Sequence, residues 1–260
     1  MGKIVAVGGG GIAEGHTLAI DRRIVELTGR RRPRALFIPT ASNDNLAYWE
    51  MFRGLYKWGL GCDCRVLCLL RPDIGKAEIR EAIGESDVIY VGGGNTLKMV
   101  RRWRHLGVDR LLKKAHERGA VLCGASAGAI CWFDHGHSDS MRSYHPDNWK
   151  YIAVGGLGYV EGIICPHYHH KDRRACFTYM MSERNDFGLA VDDRAAVEVI
   201  GGKWRVLAAA PGAQAYGVFR REGKLIERPL WPAAPRPLAE LYDRAPRRGE
   251  QVVTPTPTEH

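Results

Sequence analysis

The sequence lacks a long apolar run, and nothing in it approaches the roughly 20 residues that a helix needs to cross a bilayer. The N-terminal segment also lacks the apolar core of a signal peptide, because the short run 4–7 ends in four glycines. These absences argue against a membrane partner. We therefore expect a cytoplasmic protein.

The cysteines lack the pattern of a disulfide framework or of a zinc knuckle. Their number, seven, is odd, and no two of them form a C-x-x-C pair. A reducing compartment fits this usage, with the thiols packed as small core residues.

The net charge of +9 shows no nucleic-acid pattern. Segment 21–34 holds six basic and two acidic residues, and segment 98–118 holds eight basic and two acidic residues. Both segments are predicted to be helical, so this excess suits solvated helix faces. No aromatic residues alternate with the charges, and we expect no nucleic-acid partner. With 45% hydrophobic residues, the 260-residue chain has a globular composition.

Short apolar strands alternate with helical patterns over the first two thirds of the chain. The predicted strands are 4–7, 35–38, 64–69, 87–91 and 120–123. Strands separated by helices of this length predict an α/β fold with a mostly parallel sheet sandwiched by helices.

The pattern is less regular after residue 150. Further strands are predicted at 162–165, 196–200, 205–209 and 215–219, with a late hairpin around Glu222 and Gly223. We expect one α/β domain over 1–228. The remaining residues, 229–260, are rich in proline and predict a poorly ordered tail.

A candidate nucleophile follows the predicted strand 120–123. Residues 124–128 read Gly-Ala-Ser-Ala-Gly and precede a predicted helix at 129–133. In that context G-x-S-x-G indicates a nucleophile elbow, with Ser126 lifted out of the sheet. The alternative is a glycine-rich turn that only binds an anion at the helix N-terminus.

A serine nucleophile needs a base and an acid that orients the base. His167 follows strand 162–165 and would lie level with the elbow, while Asp139 ends the loop that leaves the elbow helix. The run His167, His169 and His170 suggests zinc as an alternative, but partner carboxylates and a second ligand motif are missing nearby. We therefore expect no metal.

Glycines also follow two other strands. Gly93 and Gly94 come after strand 87–91, where their N–H groups and that of Ala127 are candidates for an oxyanion hole. A tight turn, with a helix capped by Asn95 or Thr96, is the alternative. The glycines at 8–11 can be read as G-x-G-x-x-A, but no acidic residue ends the second strand, so we expect no dinucleotide cofactor.

Four segments in order carry a family resemblance: 91–96 (VGGGNT), 124–129 (GASAGA), 136–140 (GHSDS) and 166–168 (PHY). Together with 37–42 (FIPTAS), they resemble the dipeptidase E, or α-aspartyl dipeptidase, family of serine peptidases, which is related to cyanophycinase. The similarity covers roughly residues 3–220.

The resemblance implies a flavodoxin-like fold similar to that of class I glutamine amidotransferases, with serine at the elbow. It implies Ser126 as nucleophile, His167 as base and Asp139 as the acid. Arg173 and Asn95 would bind the substrate, a small acidic peptide with N-terminal aspartate. The alternatives are a cyanophycinase-like hydrolase of aspartyl-arginine units and a non-catalytic anion-binding or peptide-binding relative. We expect no cofactor, and a monomer or homodimer.

Overall fold

The computed structural model describes residues 2–255, which form two mixed β-sheets flanked by helices. The strands are β1 (Lys3–Val7), β2 (Arg34–Ile38), β3 (Asp63–Val66), β4 (Val88–Val91), β5 (Val121–Ala125), β6 (Phe133–Ser138), β7 (Ile152–Gly155), β8 (Val160–Pro166), β9 (Gly188–Val191), β10 (Ala195–Ile200), β11 (Lys203–Ala208), β12 (Ala215–Arg221), β13 (Lys224–Leu230), β14 (Arg236–Pro237) and β15 (Gln251–Val253). The helices are α1 (Leu18–Glu26), α2 (Leu46–Arg53), α3 (Lys76–Glu85), α4 (Thr96–Leu106), α5 (Val108–Arg118), α6 (Ala127–Ile130), α7 (Lys171–Ser182) and α8 (Ala239–Tyr242).

Shorter helical turns complete the chain. Thr40–Ser42 and Ser140–Ser143 are 3₁₀ turns, and α2 runs into a π-helical turn at Gly54–Gly59. Among residues 2–255, no helix is both long and apolar enough to span a bilayer.

The first sheet has the order β14-β11-β10-β1-β5-β4-β2-β3. Its five strands β1 to β5 are parallel, whereas β10 pairs antiparallel with β1. Every residue of β4 is buried, because helices cover both faces of the sheet. The predicted α/β class with a sheet flanked by helices is confirmed.

The second sheet has the order β15-β13-β12-β9-β8-β6-β7. Strands β6, β8 and β9 are parallel to one another, and β12 and β13 form the predicted hairpin. Glu222 and Gly223 occupy its turn with φ of 51° and 77°, so the late hairpin is confirmed. The chain returns from β9 to β10 and thereby joins the second sheet to the first.

The elbow helix is shorter than its predicted range, 129–133. It ends at Ile130, and Phe133 already begins β6. The Asp134 carboxylate accepts the Gly162 N–H at 3.0 Å and links β6 to β8. Gly136 then packs on Ile130, where an added Cβ would lie 2.3 Å from a side-chain methyl.

The C-terminal residues pack against the body of the protein as far as the structure describes them. The expected boundary after residue 228 falls inside β13, and β15 pairs antiparallel with that strand. Leu241 is 1% exposed, and the Arg228 guanidinium donates to the carbonyls of Asp243 and Ala245. The expected tail is thus folded up to residue 255, and residues 256–260 lie outside the described part.

Candidate active site

Ser126 occupies a sharp turn between β5 and α6. Its φ of 57° and ψ of −114° are unusual for a residue with a side chain, and its N–H donates to the Val7 carbonyl at 3.1 Å. Added Cβ atoms at Gly124 and Gly128 would lie 2.4 and 2.0 Å from the Val91 carbonyl oxygen. The two glycines therefore permit the close packing on which the strained turn depends, as expected of a nucleophile elbow.

His167 directly follows β8 and lies at the carboxyl end of that strand, as the sequence predicts. Its backbone has φ of 56° and its N–H donates to the Gly8 carbonyl at 3.1 Å. His167 and Ser126 line the same cavity. Within residues 2–255 no hydrogen bond joins the two side chains. Catalytic hydrogen bonds are often long before substrate binds.

The acid that contacts His167 is Asp193, not Asp139. Asp193 Oδ1 lies 2.5 Å from His167 Nδ1. Asp139 lies beyond β6 and its Oδ2 accepts from Arg173 Nη2 at 2.9 Å. The structure therefore does not place Asp139 as the orienting acid, because Arg173 of α7 engages its carboxylate.

Asp193 has a recognisable sequence signal. Residues 188–193 read Gly-Leu-Ala-Val-Asp-Asp, a short apolar run that ends in two acids, and the run forms the buried strand β9. Parallel strands β8 and β9 are neighbours, so their carboxyl ends meet. The loop after β9 thus places Asp193 beside His167.

Asp193 is held ionised by its histidine neighbours. Burial alone would raise the pKa of its carboxyl, but the hydrogen bond from His167 and the nearby imidazoles of His169 and His170 outweigh burial and lower the pKa. An added Cβ at Gly9 would lie 2.0 Å from Asp193 Oδ1 and 2.4 Å from His167 Cε1. Glycine at position 9 therefore leaves the space that this pair occupies.

The predicted oxyanion residues surround the elbow. Ala127 begins α6, so its N–H has no partner in the helical ladder. An added Cβ at Gly93 would lie 3.3 Å from Ser126 Cβ, and the Gly93 N–H donates to Tyr48 Oη over a long 3.4 Å. Gly94 packs on the Ala41 carbonyl and lines the cavity.

Asn95 caps α4, as one of the sequence alternatives predicts. Its Oδ1 accepts the Lys98 N–H at 2.9 Å and its Nδ2 donates to the Ser140 carbonyl at 3.0 Å. The side chain also lines the cavity. Its observed bonds are structural, and they fix the loop that carries the glycines.

The cavity beside Ser126 has a volume of about 680 Å³ and a basic lining. Its charged lining residues other than His167 are Lys98, Arg142, Arg173 and Asp139. Arg173 is 8% exposed, donates to the His137 carbonyl at 3.3 Å and lies 5.0 Å above the Tyr151 ring. Three cations against one carboxylate favour an anionic ligand.

His137 packs below Arg173 and is not one of the residues that line the cavity beside Ser126. The ring is fully buried, stacks on Tyr151 at 4.3 Å and lies 3.5 Å from Cys165 Sγ. Burial, together with the positive charge of Arg173, lowers the pKa of His137 well below its usual value. The imidazole is therefore neutral and acts as a packing group under Arg173.

Sequence comparison finds a family match over most of the chain. Residues 4–207 match the model of peptidase family S51. "Uncharacterized peptidase YgaJ" of Bacillus subtilis (strain 168) is 37% identical over 236 residues, which cover 88% of this chain and 97% of that protein. "Uncharacterized peptidase Lmo0363" of Listeria monocytogenes is 30% identical over 95 residues, which cover 36% of this chain and 45% of that protein.

Comparison of folds agrees with the sequence match. The crystal structure of a peptidase from an acI-B1 Actinobacterium superposes with a TM-score of 0.69 at 18% identity, over 91% of this chain and 97% of that one. At that identity the likeness concerns the fold. The sequence match over residues 4–207 is what assigns the chain: it belongs to peptidase family S51.

Proposed function

We propose that this peptidase is a serine peptidase that hydrolyses small peptides with an N-terminal aspartate. The observation that carries the proposal is the strained Ser126 in a cavity that it shares with His167, whose other ring nitrogen contacts Asp193. This is the order of groups in a nucleophile, base and acid triad.

In the proposed reaction, Asp193 holds the His167 proton on Nδ1 and leaves Nε2 free to accept. Nε2 takes the Ser126 proton as Oγ attacks the peptide carbonyl. The oxyanion is stabilised by the Ala127 N–H and the Gly93–Gly94 loop. His167 then protonates the leaving amine, and water releases the acyl group from Ser126.

The basic cavity lining supports the choice of substrate. Arg173 is rigidly held, and a planar guanidinium can bind a carboxylate through two parallel hydrogen bonds. Asp139 accepts from Nη2 and the His137 carbonyl accepts from Nη1, so each of these nitrogens keeps a second N–H for a substrate. Lys98 and Arg142 add positive charge to the same cavity. An aspartate side chain is complementary to this charge, whereas an arginine side chain is not.

A panel of three dipeptides tests the proposal. We expect Asp-Leu to be cleaved, Asp-Arg to be cleaved at a lower kcat/KM, and Ala-Leu to be cleaved poorly. Ser126→Ala should abolish hydrolysis of all of them, with a loss on the order of 10⁶-fold if the triad acts as a unit. Faster cleavage of Asp-Arg than of Asp-Leu would favour the cyanophycinase-like alternative.

Arg173→Lys tests the specificity, with Arg174→Lys as its control. Arg174 is adjacent on α7 but pairs with Glu227, at 2.6 Å, and does not line the cavity. Arg173→Lys should lower kcat/KM for Asp-Leu by about 10-fold to 100-fold, which is 1.4 to 2.7 kcal/mol of lost charge-assisted hydrogen bonding. Equal kinetics for the two variants would contradict the proposed role of Arg173.

A further inference from the structure

Three possible metal ligands meet at the edge of the cavity. His167, His170 and Asp193 each offer one ligand atom, and these atoms lie within 4.8 Å of one another. Imidazole nitrogen and carboxylate oxygen are ordinary ligands of zinc. The carboxylate that the sequence lacks near its histidine run comes from the loop after β9.

The ligand residues are held in place before any ion binds. The His170 N–H donates to the His167 carbonyl at 3.1 Å and closes the turn between the two imidazoles. The Arg194 N–H donates to the Gly9 carbonyl at 2.9 Å and fixes the loop that carries Asp193. Little reordering is needed to bring the groups together, which favours binding.

The site is open to water and, in the described part of the chain, the Asp193 carboxylate pairs with histidines rather than with a lysine or an arginine. His170 is exposed, and His167 and Asp193 are half-buried. Asp193 Oδ2 lies 3.8 Å from His170 Nε2 and 3.6 Å from His169 Nε2. Among residues 2–255 the carboxylate forms ion pairs with histidines only, so no lysine or arginine competes with a cation.

We propose that His167, His170 and Asp193 form an inhibitory site for a divalent transition metal of the zinc type. The ion is bound by His167 Nδ1, the Asp193 carboxylate and His170 Nε2, and water completes its coordination. Metal on Nδ1 moves the imidazole proton to Nε2, so neutral His167 can no longer accept the Ser126 proton. The inhibitory effect rests on the proposed serine-peptidase function, whereas metal binding does not.

Zinc titration by calorimetry tests binding without any substrate. We expect one Zn²⁺ per wild-type chain and an affinity at least 10-fold lower in His170→Ala, because even outer-shell changes cost roughly 10-fold to 100-fold in metal affinity. His105→Ala removes another exposed histidine, on α4, and should bind like the wild type. Equal affinity in His170→Ala and the wild type, or no stoichiometric binding, would overturn the site.

Hydrolysis of Asp-Leu with added Zn²⁺ tests inhibition. The wild type should lose activity at the concentration that fills the site and regain it with a chelator. His170→Ala should need at least 10-fold more Zn²⁺ for half inhibition, in proportion to its weaker binding. Full activity of a zinc-loaded wild type would overturn the inhibitory mechanism. If no peptide is cleaved at all, the proposed function fails, and calorimetry still decides the metal site.

Discussion

Asp21 is a carboxylate without access to solvent and without a cation partner among the described residues. The hydroxyls of Thr17 and Tyr56 each donate to it at 2.8 Å. Burial raises the pKa of Asp21 from 3.8 to about 6, although both hydrogen bonds oppose the shift. An ionised Asp21 therefore costs stability, because a buried carboxylate keeps only part of its hydration.

The contribution of Asp21 to the free energy of unfolding should fall as pH rises through this interval. Between about pH 4 and pH 6 the folded protein holds a proton on Asp21 that the unfolded chain releases, so unfolding becomes easier as pH rises towards the folded pKa of about 6. The shift corresponds to about 3 kcal/mol at 1.36 kcal/mol per pKa unit. Asp21→Asn should abolish this contribution, measured as the change in the free energy of unfolding between pH 4 and pH 7.

The comparison between Asp21→Asn and the wild type isolates one group. All other titrating residues are common to both proteins and cancel in the difference. If the free energy of unfolding changes by the same amount in the two proteins between pH 4 and pH 7, the pKa of Asp21 is not raised by burial and this interpretation is wrong.

Helix α6 directly follows Ser126, so its packing fixes the position of the proposed nucleophile. It is only four residues long, too short to be stable by itself. Its position therefore depends on Gly124 and Gly128, which pack against Val91 of β4. Gly128 has no room for a side chain, because its added Cβ would lie 2.0 Å from the Val91 carbonyl oxygen.

Gly128→Ala should destabilise the protein by about 1 to 3 kcal/mol, the cost of overpacking a tight core, and should displace Ser126. Gly84→Ala is the matched control. Gly84 is also helical, in α3, but meets nothing within 4 Å, so alanine there should stabilise by up to about 1 kcal/mol. Denaturant unfolding of both variants measures the contrast, and similar destabilisation by both substitutions would contradict it.

A site residue can be predicted from the sequence when the strand before it has a clear apolar pattern. Ser126 and His167 follow strands with continuous apolar runs, and such runs are visible without knowledge of their partners. The sequence does not predict β6, because Asp134, His135 and His137 make this strand polar, and it therefore assigns Asp139 to a loop beside the elbow. Which acid reaches His167 depends on the pairing of β8 with β9, a contact that no local pattern encodes.

At the scale of the whole molecule, the C-terminal segment covers one edge of the second sheet, where β15 pairs with β13. Glu250 accepts from Arg221 at 2.6 Å and from Arg228 at 2.8 Å, and both Glu250 and Arg228 are buried to more than nine tenths of their side chains. Proline-rich composition alone predicts a poorly ordered tail, yet these ion pairs and the buried Leu241 fix the segment against the rest of the protein. Here, as for Asp193, contacts between residues far apart in the sequence decide the structure, and the local composition does not show them.

A chain that ends at residue 235 should unfold more easily than one that ends at residue 255. The shorter chain loses β15, the Glu250 carboxylate that pairs with Arg228, and the buried Leu241, whose burial alone contributes about 1.5–3 kcal/mol. The longer chain keeps every described contact and serves as the control. Equal thermal unfolding temperatures would mean that residues 236–255 contribute nothing to stability.

The proposed catalytic unit joins the two sheets. Ser126 follows β5 of the first sheet, whereas His167 and Asp193 follow β8 and β9 of the second. The unit therefore depends on how the two sheets meet. Asp193, the carboxylate that contacts His167, is the member that distinguishes this assignment from one with Asp139.

The rate at which a fluorophosphonate labels Ser126, followed by intact mass and peptide mapping, tests this unit without assuming a substrate. We predict stoichiometric labelling of the wild type at Ser126, labelling slowed on the order of 10⁴-fold in Asp193→Asn, and a rate near that of the wild type in Asp139→Asn. Labelling slowed more by Asp139→Asn than by Asp193→Asn, or no labelling of Ser126 in the folded wild type, would contradict the account.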